Sequence, residues 1–261
     1  MKRIAAALAA LAGAAWLAGS AGAATAVSSN WSGYAVTGTA YRTVTATWVQ
    51  PAATCSTLGT TSAAFWVGLG GDSTESEALE QAGTSADCRN GAVSYTAWYE
   101  LVPAASVQVP LTVAAGDTIT ATVTVDGTKV TVSIRDVTTG ARFVKTLTMA
   151  GADTSSAEWV AEAPSVVTRA GTQMLPLSDF DTVTFTKASA TSASGVTGSI
   201  SRAGWSAVRI RLESAQTGPG QFGPDATIVE AVPTTLRAGG TSFSISRRTE
   251  QARPATAFGP A

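Results

Sequence analysis

The sequence predicts an all-β chain, a single domain built as a two-sheet antiparallel β-sandwich of jelly-roll type. Three observations carry that prediction. Short runs in which threonine alternates with apolar residues recur about every 8 to 15 residues, separated by Gly-, Ser- and Pro-rich turns. Asp126-Gly127 joins two such runs, residues 118–125 and 129–136, which is the strongest hairpin signal in the chain. No amphipathic helical window of useful length follows the first 26 residues, and no internal repeat is present.

In chain order, the first segment reads as an export signal. Lys2 and Arg3 precede an apolar run from Ile4 to about Ala18, and both Ala21-Gly22-Ala23 and Ala24-Thr25-Ala26 fit small-x-small cleavage sites. Residues 1–26 are therefore taken as a signal peptide, residues 27–246 as the sandwich domain and residues 247–261 as a flexible tail that loses periodicity. Residues 42–50 alternate threonine with Val44, Ala46 and Trp48 and stop at Pro51, a strand signature. Residues 63–69 form a more uniformly apolar strand ended by Gly70-Gly71. Residues 92–102 form a long strand whose second face carries Trp98 and Glu100. After the hairpin come strands at 143–149, 157–163, 180–186, 207–212 and 226–231. Asn30-Trp31-Ser32 also fits a glycosylation sequon.

Composition excludes more than it suggests. The 261 residues are 45% hydrophobic and 13% charged with a formal net charge of −1, so no basic face points to nucleic acid. There is no histidine. That removes Ser-His-Asp and Cys-His nucleophiles, His-ligated zinc and any imidazole base. Two cysteines are too few for a structural zinc site, and in an exported chain they predict a Cys55–Cys88 disulfide. No metal or cofactor is implied. Chemistry must come from carboxylates, amides, hydroxyls or backbone dipoles.

Most carboxylates read as structural. Asp117, Asp126 and Asp136 occupy turns, and Asp179 and Asp181 flank a strand entry. Glu75 and Glu77, roughly 6 to 7 Å apart in an extended chain, fall within the range that glycosidases use for paired carboxylates. In Ala157-Glu158-Trp159-Val160-Ala161-Glu162-Ala163-Pro164, strand alternation puts Glu158, Val160 and Glu162 on one face. Their carboxylates would lie roughly 13 Å apart, too far to act as a pair. If Glu162 does chemistry, its partner comes from elsewhere.

Several ordered motifs supply one. These are Ser29-Asn30-Trp31-Ser32-Gly33, Phe65-Trp66-Val67-Gly68-Leu69-Gly70-Gly71, Leu79-Glu80-Gln81-Ala82-Gly83, Ser94-Tyr95-Thr96-Ala97-Trp98-Tyr99-Glu100, Ala157-Glu158-Trp159-Val160-Ala161-Glu162 and Asp181-Thr182-Val183-Thr184-Phe185. Together they resemble the eqolisins, the glutamic endopeptidases. The resemblance implies a sandwich with a concave substrate groove and a catalytic dyad of Gln81 and Glu162. It places Trp31, Gly33, Trp98 and Glu100 among the groove residues and leaves Glu158 a groove-side or structural role. Glu80 departs from the usual aliphatic, and Ser85, Thr96 and Val102 depart from the Asp, Asp and Tyr of fungal members.

The expectation is a secreted, monomeric, acid-active endopeptidase on protein or peptide substrates, with neither nucleic-acid nor membrane partners. Glu162 would act as general base on a water, and the Gln81 amide would stabilise the oxyanion without titrating. Two other readings remain at this stage. One is a glycoside hydrolase using Glu75 and Glu77; the other is a lectin-like binder in which Trp31, Trp98 and Trp159 form a stacking platform.

Overall fold

The computed structural model describes residues 23–72, 76–168, 171–216 and 227–251. Its strands are β1 (Ala24–Ser28), β2 (Trp31–Thr37), β3 (Tyr41–Val49), β4 (Thr60–Leu69), β5 (Leu79–Arg89) and β6 (Ala92–Val102). Then come β7 (Val107–Gln108), β8 (Thr118–Asp126), β9 (Lys129–Asp136), β10 (Arg142–Thr148), β11 (Ala157–Glu162) and β12 (Ser165–Thr168). The last are β13 (Gly171–Met174), β14 (Thr182–Ser192), β15 (Thr197–Gly198), β16 (Ser206–Gln216), β17 (Thr227–Pro233) and β18 (Phe243–Gln251).

Hydrogen bonds run through one path, β10-β9-β8-β3-β14-β18-β17-β16-β2-β11-β4-β5-β6-β7, which folds over into two layers. The hinge between layers is β16. It pairs with β2 through residues 206–210 and with β17 through residues 212–216. The layers lock together through tryptophans that keep their N–H groups satisfied: Trp159 Nε1 on β11 donates to Thr45 O on β3 at 2.9 Å, and Trp48 Nε1 on β3 donates to Thr84 Oγ1 on β5 at 3.1 Å. Between them lies the main core, including Phe65, Trp159, Ile119, Val123 and Phe185.

The alternation expected from sequence is present. Ile119, Ala121 and Val123 of β8 are buried, while the threonines on the other face pair across strands, Thr45 with Thr122 and Thr47 with Thr120 at 2.8 Å each. β4 is buried on both faces from Ser62 to Leu69, because one side meets the core and the other floors a groove. Cys55 and Cys88 are bridged across a separation of 33 residues, which in the chain-entropy picture stabilises by roughly 3.5 to 4 kcal/mol.

Two of the segments that differ from the sequence reading are β5 and β18. β5 carries polar residues (Gln81, Ser85, Asp87) on its groove face and Glu80, Ala82, Thr84 and Ala86 on the core face, so it lacks hydrophobic alternation. β18 runs through Gln251, past the residue at which a flexible tail was expected to begin, because ladder bonds to β17 need no apolar pattern. Residues 1–22 of the expected signal and residues 252–261 lie outside the described residues.

Candidate active site

Glu162 is the last residue of β11, opposite Trp31 on β2 and Ala64 on β4. Its two oxygens are each held. Oε2 accepts from Trp66 Nε1 at 2.8 Å and Oε1 accepts from Asn30 Nδ2 at 3.2 Å. Around it, Ala64, Trp66, Leu79 and Val160 form a second small core on the concave face, with Trp31, Trp98 and Val102 packed against it. Trp31 meets Trp66 edge to face at 5.0 Å between ring centres.

That apolar setting decides the protonation of Glu162. Burial raises its pKa from 4.5 to about 7; hydrogen bonds from Trp66, Trp31 and Asn30 pull the other way, and the neighbouring charge of Glu100 adds to the rise. Glu100, on β6, is also raised by burial, against a hydrogen bond from Gln81 and one from the Ser106 backbone. Both carboxyls line a groove of ≈ 510 Å³ that is also lined by Trp98, Val166 and Leu175.

Gln81 lies on β5, directly between Gly68 of β4 and Glu100 of β6. Its Nε2 donates to Glu100 Oε2 at 2.6 Å, and its Oε1 has no partner although the residue is only 3% exposed. Glu100 thus connects the two expected dyad members: it accepts from Gln81, and its charge is felt at Glu162. The structure gathers Gln81, Glu100, Glu162, Trp31 and Trp98 on the concave face. Gly33 is there by necessity of packing. It lies opposite Val160, and a Cβ at this position would sit 2.0 Å from the Trp159 carbonyl oxygen.

Asn30 and Trp66 were not singled out by their chemistry in the sequence. Both stand inside quoted motifs, but only the antiparallel pairing of β2 and β4 with β11 reveals that they address Glu162.

The other carboxylate readings separate cleanly. Glu75 lies outside the described residues and Glu77 is exposed. Trp159 is fully buried in the main core, on the opposite face of β11 from Glu162, so it cannot share a stacking platform with Trp31 and Trp98. Glu158, on the Glu162 face, is fully buried, with burial first and then the charges of Asp72, Asp153 and Glu80 holding its pKa well above the usual value. Glu80 accepts from the Asp153 N–H at 3.2 Å and is raised by burial to about 8.

A groove with two desolvated carboxyls, a buried amide and no histidine is equipped for acid-assisted hydrolysis of a carbonyl derivative. Comparison with known proteins agrees. The model of the peptidase A4 family matches residues 29–220. Aspergillopepsin-2 of Aspergillus niger is 29% identical over 203 residues, covering 66% of this chain and 67% of that protein. A scytalido-glutamic peptidase crystallised with a peptide-based transition-state analogue superposes with a TM-score of 0.65 at 25% identity, over 84% of this chain and 98% of that one. The aspergilloglutamic peptidase of Aspergillus niger gives 0.54 at 26% identity, over 72% and 99%. The chain belongs to the peptidase A4 family, the eqolisins or glutamic endopeptidases.

Proposed function

We propose that this peptidase cleaves peptide bonds in acid with Glu162 as the proton-transfer group and Gln81 as the oxyanion donor. The observation that carries the reading is the burial of Glu162, which keeps a proton on it below about pH 7. This reverses the starting state expected from the sequence, where Glu162 was an ionised base. Starting as an acid, Glu162 donates its proton to the scissile carbonyl oxygen as water attacks the carbon. It then takes the surplus proton of that water, leaving a neutral tetrahedral diol. In the second half it protonates the amide nitrogen, the C–N bond breaks, and a diol hydroxyl returns a proton to the carboxylate. One carboxyl group closes the balance without a covalent intermediate.

An amide nitrogen has two hydrogens. One of those on Gln81 is committed to Glu100, which leaves the other for the developing oxyanion. Trp31, Gly33, Trp98 and Glu100 would shape the substrate site around these groups. Replacing Gln81 by Ala is expected to lower kcat by about 10² to 10³ with a smaller change in KM. Measured on an unfolded protein substrate near pH 4, a loss under tenfold would remove Gln81 from the mechanism.

The same reading includes export. Between the two cleavage motifs, β1 favours the earlier one. Ala24–Ser28 pairs in parallel with residues 208–212 of β16, and cutting after Ala26 would delete most of that strand. Removal of the signal after Ala23 leaves β1 whole. N-terminal sequencing of the exported protein is expected to read Ala24-Thr25-Ala26, whereas a start at Val27 would contradict this.

A further inference from the structure

The hydroxyl of Ser28, the last residue of β1, sits at the centre of three hydrogen bonds. It accepts from the Asn30 N–H at 3.3 Å and from the Trp31 N–H at 3.1 Å, and it donates to Asn30 Oδ1 at 3.1 Å. The Ser28 backbone is placed by pairing with Leu212 of β16, and the Asn30 carbonyl accepts from the Ala163 N–H at 2.8 Å. Both ends of the turn are thus tied to strands. What remains open for Asn30 is which end of its side-chain amide meets Glu162. The NH2 and the oxygen have nearly the same shape, so only hydrogen bonding sets the orientation. Ser28 decides it. A hydroxyl has two lone pairs and one proton; two backbone N–H groups take the lone pairs, which leaves only the proton to offer. The amide end that faces Ser28 is therefore the oxygen, and Nδ2 is turned to Glu162 Oε1 at 3.2 Å.

The orientation matters because a protonated carboxyl has a single O–H to give. Donors address both oxygens of Glu162, Trp66 Nε1 on Oε2 and Asn30 Nδ2 on Oε1. Neither nitrogen can accept, so the proton stays free for transfer. With the amide turned over, Asn30 Oδ1 would accept that O–H and hold the proton within the protein. We propose that Ser28 is a positioning residue that keeps the NH2 of Asn30 toward Glu162, so that the Glu162 proton remains available to the substrate. The inference rests on the reading of Glu162 as the proton-transfer group, and it gives the N-terminal strand a task at the active site. Trp31 and Ala64, which face Glu162 from β2 and β4, carry no charge. Glu100 on β6 is the titratable neighbour whose charge reaches it, and Asp87 lines the groove further along β5. Both carboxyls are untouched by substitutions at residues 28 and 30, so a shift in the Glu162 titration reports the amide.

The test follows an internally quenched peptide that the wild-type protein cleaves, with kcat and KM measured from pH 3 to pH 8. Ser28→Ala frees the amide to turn. Losing the Nδ2 donor favours the neutral carboxyl, so the descending limb of kcat/KM near pH 7 is expected to move up by about half a pH unit. At pH 4, kcat is expected to fall about three- to tenfold with KM unchanged, because a hydrogen bond must break before the proton moves. Ser28→Thr keeps a hydroxyl and is expected to restore both the limb and, within about twofold, the rate. Ser28→Val, isosteric with that variant and a good strand former, is expected to repeat the Ser28→Ala behaviour, which keeps the test open should the alanine protein not fold. In Asn30→Ala there is no amide to turn, and adding Ser28→Ala is expected to change neither readout. A limb that stays in place in both Ser28→Ala and Ser28→Val overturns the assignment, whatever their rates. So does a further loss when Ser28→Ala is added to Asn30→Ala, since a merely structural hydroxyl acts without the amide. Either result leaves Glu162 as the proton-transfer group; full activity in Glu162→Gln overturns both.

Discussion

Glu162→Gln is expected to lower kcat by about 10² to 10⁴ on an acid-unfolded protein substrate, the range that a positioned proton donor supplies. The substitution keeps the size of the side chain and still accepts from Trp66 or Asn30, so the fold survives it. It removes the carboxyl that, in the proposed reaction, gives a proton to the carbonyl and takes one from water. A second readout separates this from damage to the structure. Because burial raises Glu162 to about 7, ionising it opposes folding, and the amide carries no such cost. The variant should therefore be inactive yet at least as stable as wild type near pH 7.5. The wild-type pH–rate profile carries the same signature: with Glu162 starting as an acid, kcat/KM falls as pH rises through about 7. An ascending limb there would assign the ionised form and restore the base role. Glu162→Gln with more than a tenth of wild-type activity would end its catalytic assignment.

The second large effect concerns stability. Glu80, Glu158, Asp72 and Asp153 gather at one end of β5 and β11, and none of them forms an ion pair among the described residues. Glu80 is raised by burial to about 8, Glu158 lies well above 4.5, and Asp72 is raised as well. A carboxyl whose folded pKa exceeds its unfolded value binds more protons when folded. Its favourable contribution is complete below the unfolded value and is lost as pH rises through the folded one. The window here runs from about 4.5 to about 8. Asp153 has the opposite sign: burial pushes it up, but hydrogen bonds from Ser76, Ser155 and the Gly71 N–H together carry it below 3.8, so its contribution fades only in stronger acid.

At about 1.4 kcal/mol per pH unit, Glu80 alone would cost roughly 4 kcal/mol by pH 7.5, a large part of the 5 to 15 kcal/mol that holds a typical domain. With no histidine in the chain, carboxyls account for the loss across this range. Thermal unfolding is expected to show a steep fall in Tm from pH 4 to pH 8. Glu80→Leu should reverse much of it, raising Tm at pH 7.5 by about 10 °C, while near pH 3.5 it is neutral or mildly destabilising because the Asp153 N–H loses its acceptor. A Tm independent of pH over this window, or equal in both proteins at pH 7.5, would refute the account.

The fold was legible because its signals are local. The Asp126-Gly127 turn and the 129–136 return strand are where the sequence places them, since a two-residue turn and period-two alternation are read off neighbouring residues. β5 was less legible because its groove face is polar and its core face is occupied by Glu80 and small residues. The second half of β14 and the extension of β18 were likewise invisible, since cross-strand pairing rather than pattern holds them.

By itself the sequence determined three things about this protein. It is all-β, it does its chemistry without histidine, and Glu162 shares a strand face with Glu158 but not with Trp159. Each follows from residue type or from the alternation of side chains along a single strand. Tertiary structure decided the rest. Trp66 and Asn30 reach Glu162 only because β4 and β2 flank β11. Glu100 accepts from Gln81 because β6 pairs with β5 in the register that sets the two opposite each other. Whether Glu162 begins as an acid or a base depends on how much water the surrounding side chains exclude, and desolvation is a property of the whole neighbourhood that no stretch of sequence carries.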